Sequence, residues 1–258
     1  DAPPAADTVL IESTYGDREH PDTDILQDLA PALQRLAQRG GVAVVPVFAV
    51  GRAQSLLHSI GQLRARGLVA DMPVYLNSPM AANALHIYEK YQSELRLSPD
   101  ECEAMAMLPQ IIDTPEQSRA LNTRKGPMII IAASGMATGG RVVHHLKAFA
   151  PHKRNTILFA GYQAGGTRGA TIAGGATSVR IHGEEVPIRA EVAMLDSLSA
   201  HADAAEIVQW LKGFKAAPRT TFITHGEPAA ADAMRQRIEH ELGWACHLPY
   251  YLETVALK

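Results

Sequence analysis

Short apolar runs alternate along this chain with stretches in which apolar residues recur at every third or fourth position. No other feature constrains the fold as strongly. Val42 to Phe48 is a Val-rich apolar run without a polar break, the pattern of a strand buried on both faces of a parallel sheet. Val74 to Leu76, Met128 to Ala132 and Thr156 to Phe159 repeat it. Leu26, Leu29, Leu33 and Leu36 line one helical face, and Leu56, Leu57, Ile60 and Leu63 line another. Strands alternating with helices predict an α/β fold whose parallel sheet is covered on both sides. Gly40-Gly41 closes the first helix, and Pro31 inside it predicts a kink or a split into two helices. Ser78-Pro79 reads as a helix start, a capping residue before proline.

The two ends of the chain have a different character. Thr8 to Ile11 is a short strand ending at Glu12, and Val186 to Leu195 reads as a strand leading away from the middle. Asp203-Ala-Ala-Glu206 is a capping box followed by Ile207, Leu211 and Phe214 on one face. Thr220 to Thr224 is a strand that delivers His225, and Pro228 to Leu242 is a helix with Met234, Ile238 and Leu242 in register. Boundaries are expected near Asp17 and Ala193. Residues 17–193 then form an insertion, and residues 1–16 and 194–258 belong together, as inserted domains allow.

Composition narrows the function. With 258 residues, 47% of them hydrophobic, the chain can bury one large core or two modest ones. A net charge of −3 argues against a broad electrostatic grip on nucleic acid. Arg52, Arg124, Lys125, Arg141, Lys147, Lys153, Arg154 and Arg168 could still make a local basic cleft. No apolar run is long enough for a membrane span. Two cysteines cannot build a disulfide framework or a Cys-rich zinc site, which suits a reduced, cytoplasmic setting. Neither a Gly-x-Ser-x-Gly elbow nor a Walker loop occurs, so a serine hydrolase or nucleotide binder is disfavoured.

Three polar positions sit where chemistry is done in α/β proteins. Glu12 ends a strand beside Ser13 and Thr14. His201 precedes a helix start, where backbone N–H groups favour an anion, and a histidine there can protonate a leaving oxygen near neutral pH. His225 ends a strand that can aim its ring at a metal. Each also has a plain reading: a turn cluster, a surface histidine beside an Asp cap, a turn histidine. Ser134-Gly-Met-Ala-Thr-Gly-Gly-Arg141 joins a strand to a helix, with glycines that let backbone approach a phosphate; a tight strand-to-helix turn is the alternative. His144, His145, His152 and His182 lack zinc-triad spacing and are expected in surface or packing roles.

Taken in order, Leu10-Ile-Glu-Ser-Thr-Tyr-Gly16, Gly51-Arg-Ala-Gln54, the Ser134–Arg141 loop, Ser199-Ala-His-Ala-Asp203 and Thr224-His-Gly-Glu227 resemble the β-CASP branch of the metallo-β-lactamase superfamily. Gly161-Tyr-Gln-Ala-Gly-Gly-Thr167 is similar to members akin to the pre-mRNA 3′-end processing endonuclease. The resemblance implies a Rossmann-like β-CASP domain with a parallel sheet, inserted in an incomplete metallo-β-lactamase αββα domain. It implies a zinc-dependent ribonuclease with two zinc ions. Glu12 would orient His201, His201 would act as general acid, and His225 would ligate zinc. Ser13, Thr14, Arg52, Ser134, Gly135, Met136, Arg141 and Ser199 would lie near RNA or its phosphates. RNA is the implied partner, no membrane is involved, and a homodimer is allowed.

The family's His-x-His-x-Asp-His zinc cradle does not occur among the eleven histidines. The expectation is therefore a fragment of an active nuclease, inactive by itself and holding zinc weakly or not at all, since one histidine cannot secure a catalytic pair. The competing expectation is a non-catalytic RNA-binding or scaffold subunit.

Overall fold

The computed structural model describes residues 3–257; residues 1 and 2 of the Ala/Pro-rich opening, within the expected 1–16 segment, lie outside it. In chain order the elements are β1 (Thr8–Glu12), α1 (Ile25–Arg39), β2 (Val42–Pro46), α2 (Arg52–Ala65), β3 (Val74–Asn77) and α3 (Pro79–Lys90). Next come α4 (Pro99–Met107), β4 (Gln110–Ile111), α5 (Pro115–Leu121), β5 (Met128–Ala132), α6 (Arg141–Phe149), β6 (Thr156–Phe159) and α7 (Arg168–Ala173). The chain ends with β7 (Ser178–Ile181), β8 (Glu184–Pro187), β9 (Glu191–Met194), α8 (Ala204–Leu211), β10 (Thr220–Thr224), α9 (Pro228–Leu242) and β11 (Cys246–His247). They form two compact units: Asp1–Pro21 with Ser199–Lys258, and Asp22–Leu198. None of the described helices is long and apolar enough to cross a membrane.

The Asp22–Leu198 unit is built on a six-stranded sheet, order β4-β3-β5-β2-β6-β9, parallel throughout. Every residue of β2 and of β5 is buried, because helices cover both faces. One layer packs Leu29, Leu33, Leu36, Leu56 and Leu63 against Val45 and Ile131; the other packs Val142, Leu146 and Phe149 against Val44 and Ile130. Each such side chain contributes about 1.5–3 kcal/mol of apolar burial. Pro46 pairs with Ala132 at the carboxyl ends of β2 and β5. The loops entering α2 and α6 therefore leave the sheet side by side.

Pro31 does not divide α1, which runs unbroken from Ile25 to Arg39. Its ring is on the exposed face, so the carbonyl it leaves without a helical donor can be hydrated. The strand expected over Val186 to Leu195 is two strands in two sheets, β8 pairing with β7 and β9 with β6. Between them, the N–H groups of Arg189 and Ala190 both donate to the Ala150 carbonyl at 2.8 and 2.9 Å, which bends the chain out of strand geometry.

The other unit is a three-stranded parallel sheet, order β1-β10-β11, covered by α8 and α9. Val9, Ile11, Ile207, Leu211, Ile223, Met234 and Ile238 form its core. Asp203 caps α8 with a complete capping box to Glu206. Glu12 pairs with Thr224, so the last residue of β1 lies beside the last residue of β10.

Candidate metal and acid–base site

The β1–β10 register fixes one cluster. Glu12 ends β1, and His225 follows β10 directly. Ser13, fully buried, donates from Oγ to the Thr224 carbonyl at 2.8 Å, continuing the strand contact beyond the ladder. Gly226 lies so close to this segment that a Cβ on it would meet Ser13 Oγ at 2.2 Å and Ser13 O at 2.5 Å. His225 itself has φ +52°, a left-handed geometry that few side chains adopt. The tight Gly226 approach and this turn set the imidazole beside β1.

His201 comes from the segment before α8. Its N–H donates to Ser199 Oγ at 3.1 Å, and its carbonyl accepts from the His20 ring at 2.9 Å. The His20 N–H donates to Asp203 Oδ2 at 2.8 Å. Burial pushes the Asp203 carboxyl up, but N–H donors of Glu206 and His20 outweigh it and hold the group below its ordinary range. No motif in the sequence marks His20, because its partners lie about 180 residues away.

Here Glu12 Oε2 accepts from His201 Nδ1 at 2.6 Å and lies 3.9 Å from His225 Nδ1. Thr14 Oγ1 is 3.3 Å from His201 Nδ1 and 3.1 Å from His225 Nδ1, and it donates its one proton to the His225 carbonyl at 3.1 Å. With the Thr14 proton assigned to that carbonyl, the ring tautomers follow. In this assignment Nδ1 of His225 donates to Thr14 and Nδ1 of His201 donates to Glu12. Nε2 is then the lone-pair nitrogen on each neutral ring. The rings stack with centroids 5.3 Å apart and planes 26° from parallel.

One ligand atom from each of Glu12, His201 and His225 lies within 4.8 Å of the others. A carboxylate with two imidazoles is a donor set that zinc accepts, and three protein ligands leave an open position. The three donors fit one ion only if the Glu12–His201 contact opens; with that contact made, His225 is the donor left for a metal. The cluster supplies too few donors for two ions, particularly as the Glu12 carboxylate already holds His201.

The remaining expected contacts gather in the Asp22–Leu198 unit, at the carboxyl ends of β5, β2 and β6. Arg52 begins α2, Ser134, Gly135 and Met136 follow β5, and Arg141 begins α6. A Cβ on Gly135 would meet the Phe48 ring at 2.9 Å, so the β2 and β5 loops touch. Gln163 Nε2 donates to the Gly135 carbonyl at 3.2 Å, Gly169 N–H donates to the Met136 carbonyl at 2.9 Å, and Arg168 binds the Ala137 carbonyl. Ser134 and Thr138 hydroxyls are 3.2 Å apart. The loop is thus held from three sides, at the position where open α/β sheets place their ligands.

Arg141, however, spends its guanidinium internally. It donates to Asn77 Oδ1 at 2.9 Å and to the Ile112 and Asp113 carbonyls at 2.7 and 2.6 Å. Asn77 Nδ2 donates in turn to Ser118 Oγ at 2.8 Å and to His145 Nε2 at 2.6 Å, while His145 Nδ1 donates to Asn122 at 2.6 Å. Burial first, then the charges of His144 and Arg141, lower the His145 pKa to about 4. Other cations of the expected basic cleft are also engaged: Lys147 with Glu184 at 2.7 Å, and Arg124 over the Tyr75 ring.

Two family models match the chain. Residues 53–172 match the Beta-Casp domain, and residues 185–249 match the Zn-dependent metallo-hydrolase RNA specificity domain. The chain is 39% identical over 235 residues to ribonuclease TTHA0252 of Thermus thermophilus, covering 87% of this chain and 52% of that protein. It is 30% and 31% identical to the transcription termination factors FttA of Methanosarcina mazei and Pyrococcus abyssi, covering 98% and 99% of this chain and 42% and 41% of theirs. The chain thus spans about half the length of these curated relatives. With its parallel α/β sheet, its Beta-Casp match and these relatives, the chain belongs to the β-CASP family.

Proposed function

We propose that this chain is part of a zinc-dependent ribonuclease that hydrolyses RNA phosphodiester bonds. The observation that carries the reading is the 2.6 Å contact between Glu12 Oε2 and His201 Nδ1. A carboxylate on Nδ1 fixes the ring's orientation, and an imidazolium so held can hand its Nε2 proton to a departing oxygen. Thr14 accepts from Nδ1 of His225, which keeps that ring's Nε2 free as a metal ligand. Zinc, when bound, would supply charge stabilisation and an activated water. Glu12 thus orients, His201 acts as general acid and His225 ligates.

RNA is the proposed substrate, in line with the matched RNA specificity domain and the ribonuclease relative. Ser13, Thr14 and Ser199 would serve the phosphate near the histidines, and Arg52, Ser134, Gly135 and Met136 a further stretch of the strand. Arg141 in this reading braces the loop that follows β5, because its donors are already used. The unit holding Glu12 and the histidines is proposed as a portion of a metallo-β-lactamase domain. The two zinc ions of the full activity would need donors beyond Glu12, His201 and His225, so the 258-residue chain by itself is expected to be inactive. A cytoplasmic setting accords with the two free thiols. A homodimer would have an apolar face at α3 available, where Met80 and Ile87 on the helix and Tyr91 just after it are exposed.

The test is cleavage of a labelled RNA by a polypeptide extended to the relatives' length, wild type beside His201→Ala. Turnover should fall by about 10²–10⁴-fold with bound zinc unchanged. Unaltered turnover would remove His201 from the chemistry. Binding of RNA without any cleavage by the extended wild type would favour the scaffold reading instead.

A further inference from the structure

His201 stands in a short stretch, from Ser199 to the Asp203 cap of α8, that is neither strand nor helix. A proton donor there must keep its aim without a regular element beneath it, and small misplacements of reacting groups cost large factors in rate. Its own stretch supplies one main-chain contact, from the His201 N–H to Ser199 Oγ at 3.1 Å. The contact on the other side, to the His201 carbonyl, comes from His20 Nε2 at 2.9 Å. A carbonyl only accepts, so the His20 ring carries its proton on Nε2.

His20 is not a loosely hung side chain. It ends the segment that leaves β1 directly after Glu12, and that segment is fastened along its length. Gly16 packs so tightly on α9 that a Cβ would meet the Ala230 carbonyl oxygen at 2.3 Å. Tyr15 makes a parallel bridge with Asp203, and the Ala204 N–H donates to the Arg18 carbonyl at 3.2 Å. Glu19 pairs with Arg237 of α9 at 3.1 Å. The main-chain N–H of His20 donates to Asp203 Oδ2 at 2.8 Å, and its ring meets the Tyr15 ring edge-on with centroids 4.8 Å apart. One residue thus places a main-chain donor on Asp203 and a side-chain donor on His201. Together with the Glu12–His201 contact this closes a loop: Glu12 holds the His201 side chain, and the segment that continues from Glu12 returns through His20 to hold the His201 main chain.

We propose that His20 is a positioning residue for His201. Its Nε2–H fixes the His201 main chain so that the imidazole stays on the Glu12 carboxylate and its Nε2 keeps one aim. His20 does this through His201, without touching the substrate. The role rests on the reading of His201 as general acid.

Nitrogen NMR of the imidazoles in the whole chain, and cleavage of a labelled RNA by the polypeptide extended to the relatives' length, test it together. At mildly alkaline pH, where a free imidazole is neutral, the wild type should carry the His20 proton on Nε2 and the His201 proton on Nδ1, the latter as a low-field signal shared with Glu12. A His20 ring protonated on Nδ1 alone overturns the proposal without any variant. His20→Phe keeps a ring against Tyr15 and the main-chain donor to Asp203 but removes the Nε2–H. The His201 signal should vanish and kcat should fall about 10²-fold with KM unchanged, while circular dichroism shows the fold kept. His20→Gln retains a side-chain N–H donor, so the His201 signal should persist and kcat should fall by less than about tenfold. An undisturbed signal and kcat in His20→Phe overturn the role, as do a Gln variant as impaired as the Phe variant and a loss confined to KM. Should His201→Ala abolish turnover while His20→Phe leaves it intact, the role of His20 falls and the general-acid reading stands. Should His201→Ala leave turnover intact, the general-acid reading falls and the role of His20 falls with it.

Discussion

His145 offers the sharpest quantitative test of the packing beside the β5–α6 loop. The ring is fully buried and neutral, accepting from Asn77 and donating to Asn122. Its pKa falls from 6.5 to about 4, mainly through burial and then through His144 and Arg141. Between those values the unfolded chain holds a proton on this histidine and the folded chain does not. Stability must then rise with pH across the window, be complete above about 6.5, and drain away as pH falls toward 4. A fall from 6.5 to about 4 corresponds to about 3 kcal/mol, at about 1.36 kcal/mol per tenfold change in proton affinity. Glutamine can reproduce both hydrogen bonds without titrating, so His145→Gln isolates the effect from every carboxylate. Urea unfolding followed by far-ultraviolet circular dichroism at pH 7.5 and pH 4.5 should show wild type losing about 2–3 kcal/mol more than the variant. Equal losses would mean that His145 is not buried in its neutral form and that the Asn77–His145–Asn122 chain is misassigned.

Other outcomes follow from the same geometry. Gly226→Ala should cost at least about 2 kcal/mol, because the new Cβ would meet Ser13 backbone and hydroxyl; thermal melting followed by Trp210 and Trp244 fluorescence reads it, and an unchanged midpoint would contradict the contact. Asp203→Ala should cost about 1–2 kcal/mol through the lost cap and the lost His20 acceptor. Because the Asp203 pKa is lowered on folding, its share of stability is present at neutral pH and disappears as pH drops through the lowered value; a variant with unaltered acid sensitivity would refute this. After dialysis against a chelator and then zinc, metal analysis of the chain should find less than one tightly held ion, and His225→Ala should remove what remains. Two tightly held ions would sink the one-site reading.

Much of the fold could be read from the chain itself, for identifiable reasons. β2 and β5 are buried on both faces, so their residues are uniformly apolar and legible as strands. The α1 face of Leu26, Leu29, Leu33 and Leu36 is buried throughout, which imprints the helical period. The β7–β8 hairpin was not legible, because its exposed positions, among them Glu184 and Glu185, dilute the apolar pattern. Helices α4 and α5 carry a usable signal in the sequence: Ser98 and Thr114 each begin a complete capping box with proline at the first helical position. At the candidate site, residue types and order pointed to Glu12, His201 and His225. Thr14 as the hydroxyl facing both rings could not be foreseen, since it depends on three segments meeting in space. The fate of Arg141 was hidden for the same reason: nothing in a linear string says which carbonyls will consume a guanidinium.

The pairing of β1 with β10 carries a temporal consequence. The strand bearing Glu12 leaves the ribosome about two hundred residues before the strand that delivers His225. At about 5–20 residues per second, that is a wait on the order of 10–40 s. Throughout that interval β1 lacks the β10 neighbour it pairs with, and a product stopped before β10 cannot assemble the cluster however well the Asp22–Leu198 unit folds. Completion of the cluster is thereby tied to synthesis of β10 and the turn that follows it.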